Sequence, residues 1–363
     1  SLLVKDGRIA ALLPDTEADT WTCRERVRLP GHLLIPGLVN LHTHAAMTLL
    51  RGYADDLPLM DWLNHHIWPA EARHGSHGFV RDGTLLACLE MLAGGITCFN
   101  DMYFFAEGAV EAATRAGMRI AAGMILVDFP TGYAADTDGY LQKGLAMRDA
   151  HADNPLATFC LAPHAPYTVG DRGLEKIMTY AGQLDLPIHI HIHETEDELR
   201  QSIEQYKVRP LARMKSLGML GPNLIAVHGV HLDEQEIGWL ASHGCHVAHC
   251  PASNLKLASG FAPVARLLAA GVNVGIGSDG AASNNRLDLL GEMRLAALLA
   301  KGVSGDPAVL PAAKALEMAT LAGARALGLE QEIGSLEPGK QADIVAIDMA
   351  PPRQPALLRP ALR

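Results

Sequence analysis

The stretch Pro36-Gly-Leu-Val-Asn-Leu-His-Thr-His44 decides the fold, because in it an apolar run ends in two histidines two residues apart. Side chains alternate across a β-strand, so His42 and His44 would project from the same face of a strand. Two imidazoles on one face can bind one metal ion. A lone histidine pair is often incidental, so this interpretation depends on partners elsewhere in the chain.

Similar short apolar runs recur along the chain, each following a segment with the apolar spacing of a helix. Several of these helical segments end at glycine, as at Gly94 and Gly117. Strands that alternate with helices predict a parallel α/β fold. Eight such strands, most of which end in or just before a polar residue, can be counted, at 33–42, 96–101, 118–126, 157–163, 186–193, 224–228, 245–250 and 272–279.

Eight strands are the number that a closed barrel needs, and we predict an α/β fold of the (β/α)8 TIM-barrel type. An open doubly wound sheet is the alternative, but the glycine-rich dinucleotide turn is missing after the first strand. Residues 2–13 read as a hairpin around Asp6-Gly7, and 344–347 read as a strand near the other end. We therefore predict a small, incomplete β-sandwich domain from residues 1–33 plus 337–363, and a barrel over 34–336.

The composition favours a small-molecule enzyme. The 363 residues carry a formal charge of −10, and their 30 Lys and Arg residues form no basic cluster, which argues against nucleic acid or anionic membrane as partners. The six cysteines show no C-x-x-C spacing, so the zinc signature of nucleic-acid base deaminases is absent. Apolar runs stop short of the roughly 20 residues of a membrane span. We expect a cytoplasmic homo-oligomer.

The other strand ends supply partners for the first histidine pair. Pro187-Ile-His-Ile-His-Ile-His-Glu194 places three histidines on one face, and periodicity does not say which of them binds metal. His228 ends the sixth strand and Asp279 ends the eighth. Three imidazoles and a carboxylate suit zinc, although iron or manganese also fit. Such an ion acidifies water, and nearby carboxylates can move protons.

These motifs, taken in order, resemble the amidohydrolase superfamily. They are the opening Pro-Gly-Leu-Val-Asn-Leu-His-Thr-His, the His-x-x-Glu of His191 to Glu194, His228, and Gly277-Ser-Asp-Gly-Ala-Ala-Ser-Asn-Asn285. Within the superfamily they are most similar to the 5'-methylthioadenosine/S-adenosylhomocysteine deaminases and the related triazine chlorohydrolases. The resemblance implies a (β/α)8 barrel with a small β-sandwich and one divalent metal ion per chain, zinc in the first place.

The resemblance also implies roles for individual residues. The metal ligands would be His42, His44, His191 and Asp279. The catalytic residues would be Glu194, His228 and Asp279. The substrate-binding residues would be Trp68, Glu71, His164 and Glu194, with Trp68 packing near the purine and Glu71 accepting hydrogen bonds from the ribose hydroxyls. For Trp68 and Glu71 the alternative is a buried tryptophan at a helix start followed by an exposed glutamate. His189 would be structural, and His193 would occupy a variable position.

The implied reaction is hydrolytic deamination of an adenine nucleoside, from 5'-methylthioadenosine to 5'-methylthioinosine and ammonia. An activated water would attack C6 with His228 orienting it, Asp279 would take up the water proton, and Glu194 would protonate N1. Residues 124–140 contain no arginine, whereas relatives that accept S-adenosylhomocysteine use arginines there. We therefore expect adenosine and S-adenosylhomocysteine to be weaker substrates. The alternatives are a deaminase or chlorohydrolase acting on another purine, a pyrimidine or a triazine, and a catalytically silent barrel scaffold.

Overall fold

The computed structural model describes residues 1–349, and the part of the predicted small domain at 350–363 lies outside the described residues. The strands are β1 Leu2–Lys5, β2 Arg8–Leu12, β3 His32–Pro36, β4 Leu38–Thr43, β5 Ile96–Tyr103, β6 Arg119–Leu126, β7 Ala157–Pro163, β8 Ile188–Ile192, β9 Leu224–His228, β10 His246–His249, β11 Asn273–Ile276 and β12 Ile344–Asp348. The helices are α1 Asp15–Ala18, α2 Leu59–Trp62, α3 Trp68–His74, α4 His77–Ala93, α5 Ala106–Ala116, α6 Thr137–Ala150, α7 Asp171–Leu184, α8 Glu196–Tyr206, α9 Pro210–Ser216, α10 Glu234–Ser242, α11 Pro251–Lys256, α12 Val264–Ala269, α13 Ala281–Asn284, α14 Leu289–Ser304, α15 Ala312–Met318 and α16 Leu321–Ala326. A 3-10 helix, Ala45–Leu50, follows β4, and a π-helical turn, Leu63–Ile67, follows α2.

Strands β4 to β11 form one sheet of eight parallel strands that neighbour each other in chain order. The first and last strands meet where the Asp279 amide donates to the His42 carbonyl oxygen at 2.9 Å. A Cβ atom at Gly277 would lie 2.8 Å from the Cβ of His42, so this close approach requires glycine. The predicted (β/α)8 barrel is confirmed.

The first predicted strand, 33–42, is in fact two strands that belong to different sheets. β3 pairs antiparallel with β12, outside the barrel, whereas β4 pairs with β5 inside it. The change occurs at Gly37, where a Cβ atom would lie 2.0 Å from the Thr97 hydroxyl oxygen. The apolar pattern runs through this point without a break, so it does not reveal the change of sheet. The other seven strands were predicted to within three residues at each end.

Both ends of the described chain contribute short β structure beside the barrel. β1 and β2 form the predicted hairpin, with Asp6 at φ 51° and Gly7 at φ 77° in its two-residue turn. The hairpin contacts the later part of the chain, since the Ile9 amide donates to the Lys340 carbonyl oxygen at 2.8 Å. The boundaries between this small β region and the barrel stay a prediction.

The core lies between the barrel strands and the surrounding helices. Every residue of β4 and of β8 is buried, as is expected for parallel strands covered on both faces. Five of the six cysteines are buried free thiols, and Cys23 is exposed. Across residues 1–349, none of the helices has both the length and the apolar character needed to cross a bilayer.

Candidate metal centre and active site

Three strand ends bring His42, His44, His191 and Asp279 into contact at one end of the barrel. The Asp279 Oδ1 atom lies 3.2 Å from His42 Nε2 and 3.3 Å from His44 Nε2. The Nε2 atoms of His42 and His191 are 3.2 Å apart. The four residues predicted as metal ligands therefore converge on one point.

Hydrogen bonds on the far side of each ring turn the ring nitrogens toward this point. His44 Nδ1 lies 2.6 Å from the Met102 carbonyl oxygen, and His191 Nδ1 lies 2.7 Å from that of His164. Carbonyl oxygens only accept hydrogen bonds, so we assign the hydrogen to Nδ1 and the lone pair to Nε2 in both rings. His42 Nδ1 is 3.0 Å from His189 Nε2, which leaves the Nε2 atom of His42 facing the same point.

The convergence of these lone pairs fits a divalent cation. Burial lowers the pKa of His42 to about 4, although the Asp279 carboxylate opposes this, and burial lowers the pKa of His191 well below its usual value. Protons on the rings therefore do not relieve the repulsion between facing lone pairs at neutral pH. Three imidazole nitrogens and one carboxylate oxygen form a donor set that zinc accepts, with each imidazole oriented by an outer hydrogen bond.

Asp279 is held in an ionised form. Burial alone would raise the pKa of its carboxyl group, but the adjacent imidazoles of His42, His44 and His228 favour its ionised form and hold the pKa well below its usual range. The Ser253 hydroxyl donates to Oδ2 at 2.6 Å and the Gly280 amide donates to Oδ1 at 2.7 Å. A base that is ionised and fixed in this way can accept a proton from water.

Glu194 and His228 lie beside the four converging residues. The His228 Nε2 atom is 3.7 Å from Glu194 Oε1, and the His228 ring stacks on the His191 ring with centroids 5.4 Å apart. Burial raises the pKa of Glu194, so its carboxyl group can carry a proton closer to neutral pH than a free glutamate does. His228 is fixed from behind, because its Nδ1 atom is 2.8 Å from Asn254 Oδ1.

A cleft of about 700 Å³, including its solvent-filled mouth, opens over this cluster. Its walls are mostly apolar and aromatic, and Trp68 and Phe129 lie 5.9 Å apart, centroid to centroid, on one side. Neither lysine nor arginine contributes to the described lining, whereas Glu71, Glu194 and Asp279 do. The cleft therefore suits a neutral, partly apolar ligand better than an anionic one.

The three further residues predicted to bind substrate, Trp68, Glu71 and His164, all line this cleft. Trp68 begins α3 and Glu71 follows three residues later, so both point from one side of the helix. Burial raises the pKa of Glu71 to about 7 and lowers the pKa of His164 to about 3. The His164 ring is held by the Thr168 hydroxyl at 3.1 Å.

The sequence prediction missed Tyr103, the last residue of β5. Tyr103 is 4% exposed and lines the cleft. Its hydroxyl oxygen has no partner within hydrogen-bond distance among residues 1–349, although it lies near enough to Glu71 to lower the pKa of that carboxyl group. A buried hydroxyl without a partner in a cleft can serve a ligand. The one sequence signal for Tyr103 is its place at the end of a strand.

The expectation that His189, His191 and His193 share one face is wrong for His193. The strand β8 ends at Ile192, and His193 has φ 56°, which breaks the alternation of side chains. Its Nε2 atom accepts the Leu211 amide at 3.1 Å and lies 3.3 Å from Glu236, away from the cluster. His189 supports the His42 ring, as described above.

Comparisons with known proteins agree with this geometry. The model of the amidohydrolase family matches residues 33–361. The chain belongs to this family. Together with the ligand cluster, this membership makes the protein a metal-dependent hydrolase.

Similar proteins cover nearly the whole chain. A "5-methylthioadenosine/S-adenosylhomocysteine deaminase" from Teredinibacter turnerae is 52% identical over 350 residues, which are 96% of this chain and 79% of the relative. A crystal structure of an adenosine deaminase from Xanthomonas campestris with bound zinc is 50% identical with a TM-score of 0.95, over 96% of this chain and 80% of that one. An atrazine chlorohydrolase from Arthrobacter aurescens complexed with zinc is 26% identical with a TM-score of 0.88, over 96% and 83% of the two chains.

Proposed function

We propose that this protein is a zinc-dependent aminohydrolase that removes the 6-amino group of an adenine nucleoside. The observation that carries the proposal is the convergence of three imidazole nitrogens and the Asp279 carboxylate at the bottom of the cleft, with Glu194 and His228 beside them. The names of the relatives at 50% identity and above support an adenine nucleoside as substrate. The ligands of one ion per chain would be His42, His44, His191 and Asp279.

A divalent ion bound there supplies a water whose pKa is lowered toward neutrality. The ionised Asp279 takes up the proton that this water releases, and His228 orients the water toward C6 of the adenine ring. Glu194 donates a proton to N1, so that the ring accepts the incoming oxygen. Asp279 then passes its proton to the 6-amino group, and Glu194 takes the proton of the new C6 hydroxyl, as the C6–N bond breaks and ammonia and the 6-oxo nucleoside leave.

Within this function we propose 5'-methylthioadenosine as the preferred substrate, with adenosine and S-adenosylhomocysteine weaker. The described lining of the cleft carries no cation that could pair with the carboxylate of S-adenosylhomocysteine. Taking an anion out of water without a paired cation is costly, whereas a methylthio group gains from contact with apolar walls. We expect kcat/KM for 5'-methylthioadenosine to exceed that for S-adenosylhomocysteine by about tenfold or more, which corresponds to about 1.4 kcal/mol.

Metal analysis of the purified protein, combined with ammonia release from the three nucleosides, tests the proposal. Zinc bound to the protein and ammonia release from 5'-methylthioadenosine are the expected results. Equal kcat/KM values for 5'-methylthioadenosine and S-adenosylhomocysteine would contradict the substrate preference alone. Failure of all three nucleosides to release ammonia would contradict the deaminase function itself.

A related hydrolysis, the dechlorination or deamination of a triazine, is the second candidate. The fold of the atrazine chlorohydrolase supports it, but that protein shares only 26% identity with this chain, against 50% for the adenosine deaminase. Chloride and ammonia release from a panel of atrazine, guanine and cytosine separates these activities. A catalytically silent scaffold would bind no metal and turn over none of the panel. The homo-oligomeric state stays a prediction, which light scattering can check.

A further inference from the structure

The chain makes a sharp turn between His191 and Glu194, where it leaves β8. His193, in this turn, has φ 56°, a backbone conformation that few residues other than glycine adopt without strain. Strained backbone persists only where the surroundings determine it, and it concentrates at functional sites. The direction of the Glu194 side chain depends on this turn.

One carboxylate holds both amides of the turn. Glu198 Oε1 accepts the His193 amide at 2.9 Å, and Glu198 Oε2 accepts the Glu194 amide at 2.8 Å. Glu198 is 4% exposed and is the third residue of α8, whose N-cap is Thr195. In a capping box a glutamate at this position returns to the amide of the N-cap residue. Here it reaches past Thr195 to the two residues before it.

The carbonyl oxygen and the Nε2 atom of His193 are held by other elements. Its carbonyl oxygen accepts the His231 amide at 3.0 Å, and its ring accepts the Leu211 amide at 3.1 Å. Glu198 therefore supplies the contact that fixes the amide side of the turn. Burial raises the pKa of Glu198 to about 8 against the two amides, which lower it. Burial therefore opposes the ionised form that accepts both amides, so folding stability alone does not explain a glutamate in this place.

We propose that Glu198 is a positioning residue, whose two carboxylate oxygens fix the turn that aims Glu194 at the ring nitrogen of the substrate. The inference rests on the proposed function, because the aim of Glu194 matters only if Glu194 transfers a proton. Displacement of a catalytic group by about 1 Å can cost about a hundredfold in rate. Glu198 itself belongs neither to the described lining of the substrate cleft nor to the metal-ligand cluster, and it reaches the cleft only through the backbone of Glu194.

The substitution Glu198→Gln tests the proposal in the full-length protein. The side chain keeps its size, but one oxygen becomes an amino group that faces a backbone amide and cannot accept from it. We expect kcat to fall by about thirtyfold to a hundredfold. We expect KM for 5'-methylthioadenosine and the bound metal content to stay within about twofold, since the metal ligands and the cleft residues other than Glu194 keep their places.

Thr195→Ala is the matched control at the same helix start. Its hydroxyl oxygen accepts the Glu198 amide at 3.3 Å, so the substitution weakens the start of α8 without removing an acceptor from the turn. We expect kcat to stay within about twofold of the wild-type value. A fall in kcat equal to that of Glu198→Gln would show that the helix start, and not the turn, is responsible, and would overturn the proposal.

Glu198→Asp separates geometry from charge, and it decides the matter if Glu198→Gln does not fold. Aspartate keeps the negative charge, but it is shorter by one methylene and cannot span both amides. The proposal expects kcat to stay low. If kcat of Glu198→Asp recovers to within about threefold of the wild-type value, Glu198 acts through its charge and the proposal is overturned. A kcat within about threefold of the wild-type value in a folded Glu198→Gln variant would overturn the proposal as well. An inactive wild-type protein would instead contradict the proposed function, and an active Glu194→Gln variant would contradict the role of Glu194 in proton transfer.

Discussion

Replacing Glu71 by glutamine should stabilise the protein and weaken its activity, with a pH dependence that the structure sets. Burial raises the pKa of Glu71 from 4.5 to about 7, and the Tyr103 hydroxyl and His44 oppose this only in part. A carboxyl group whose pKa is raised on folding makes its full contribution to stability at pH values below the pKa that it has in the unfolded chain. This contribution is lost as the pH rises through about 7.

The size of the effect follows from the pKa difference. The rise in pKa from 4.5 to about 7 lowers the free energy of unfolding, relative to a group that does not ionise. The loss is about 3 kcal/mol at pH values above about 8 and about 1 kcal/mol near pH 5. Glutamine does not ionise, so Glu71→Gln should raise the free energy of unfolding by about 2 kcal/mol more near pH 8 than near pH 5. Since a carboxylate accepts ribose hydroxyls better than an amide does, kcat/KM should fall by about tenfold.

Urea unfolding at the two pH values, with ammonia release as the activity assay, measures both effects. Glu175→Gln, on the exposed face of α7, is the control, and its stability should change by less than about 0.5 kcal/mol at either pH. A Glu71→Gln variant that is destabilised near pH 8, or whose stability change does not depend on pH, would refute the reasoning about burial.

Two further substitutions test individual side chains of the cleft. Glu194→Gln should leave zinc bound, because Glu194 lies outside the ligand cluster, while kcat falls by about a hundredfold or more in the ammonia assay; near-normal turnover would refute its role in proton transfer. Tyr103→Phe removes the hydroxyl beside Glu71, the residue expected to bind the ribose. If Tyr103 also contacts the ribose, kcat/KM for the riboside should fall by about tenfold and that for a 2',3'-dideoxy analogue should stay nearly constant. Equal losses on the two substrates would show that Tyr103 does not contact the ribose.

The sequence predicted the barrel and the cluster because both depend on strand periodicity. Apolar runs that end in polar residues mark the carboxyl ends of parallel strands, and a barrel brings those ends together. His42 and His44 were placed on one face by this rule, and the structure has both beside Asp279. The convergence was therefore predictable from residue types and spacing, without contacts.

The same rule failed at turns, where the backbone leaves the strand. The positive φ of His193 turns its ring away from the cluster, and nothing in the alternation of the preceding residues signals that change. The break at Gly37 between two sheets is hidden in the same way. The carbonyl oxygens of Met102 and His164, which orient two of the histidines, carry no sequence signal because every residue has a carbonyl group.

Two buried carboxylates support the site in a similar way. Asp101 Oδ1 accepts the Thr43 hydroxyl at 2.8 Å and the Ala45 amide at 2.7 Å, on either side of His44. Glu198 accepts the two amides that follow the strand of His191. Burial raises the pKa of both carboxyl groups, so each costs folding stability at neutral pH. Each of them holds the backbone beside a histidine of the cluster. The loss of stability is therefore explained by their function, which is to fix the geometry of the site before the substrate binds.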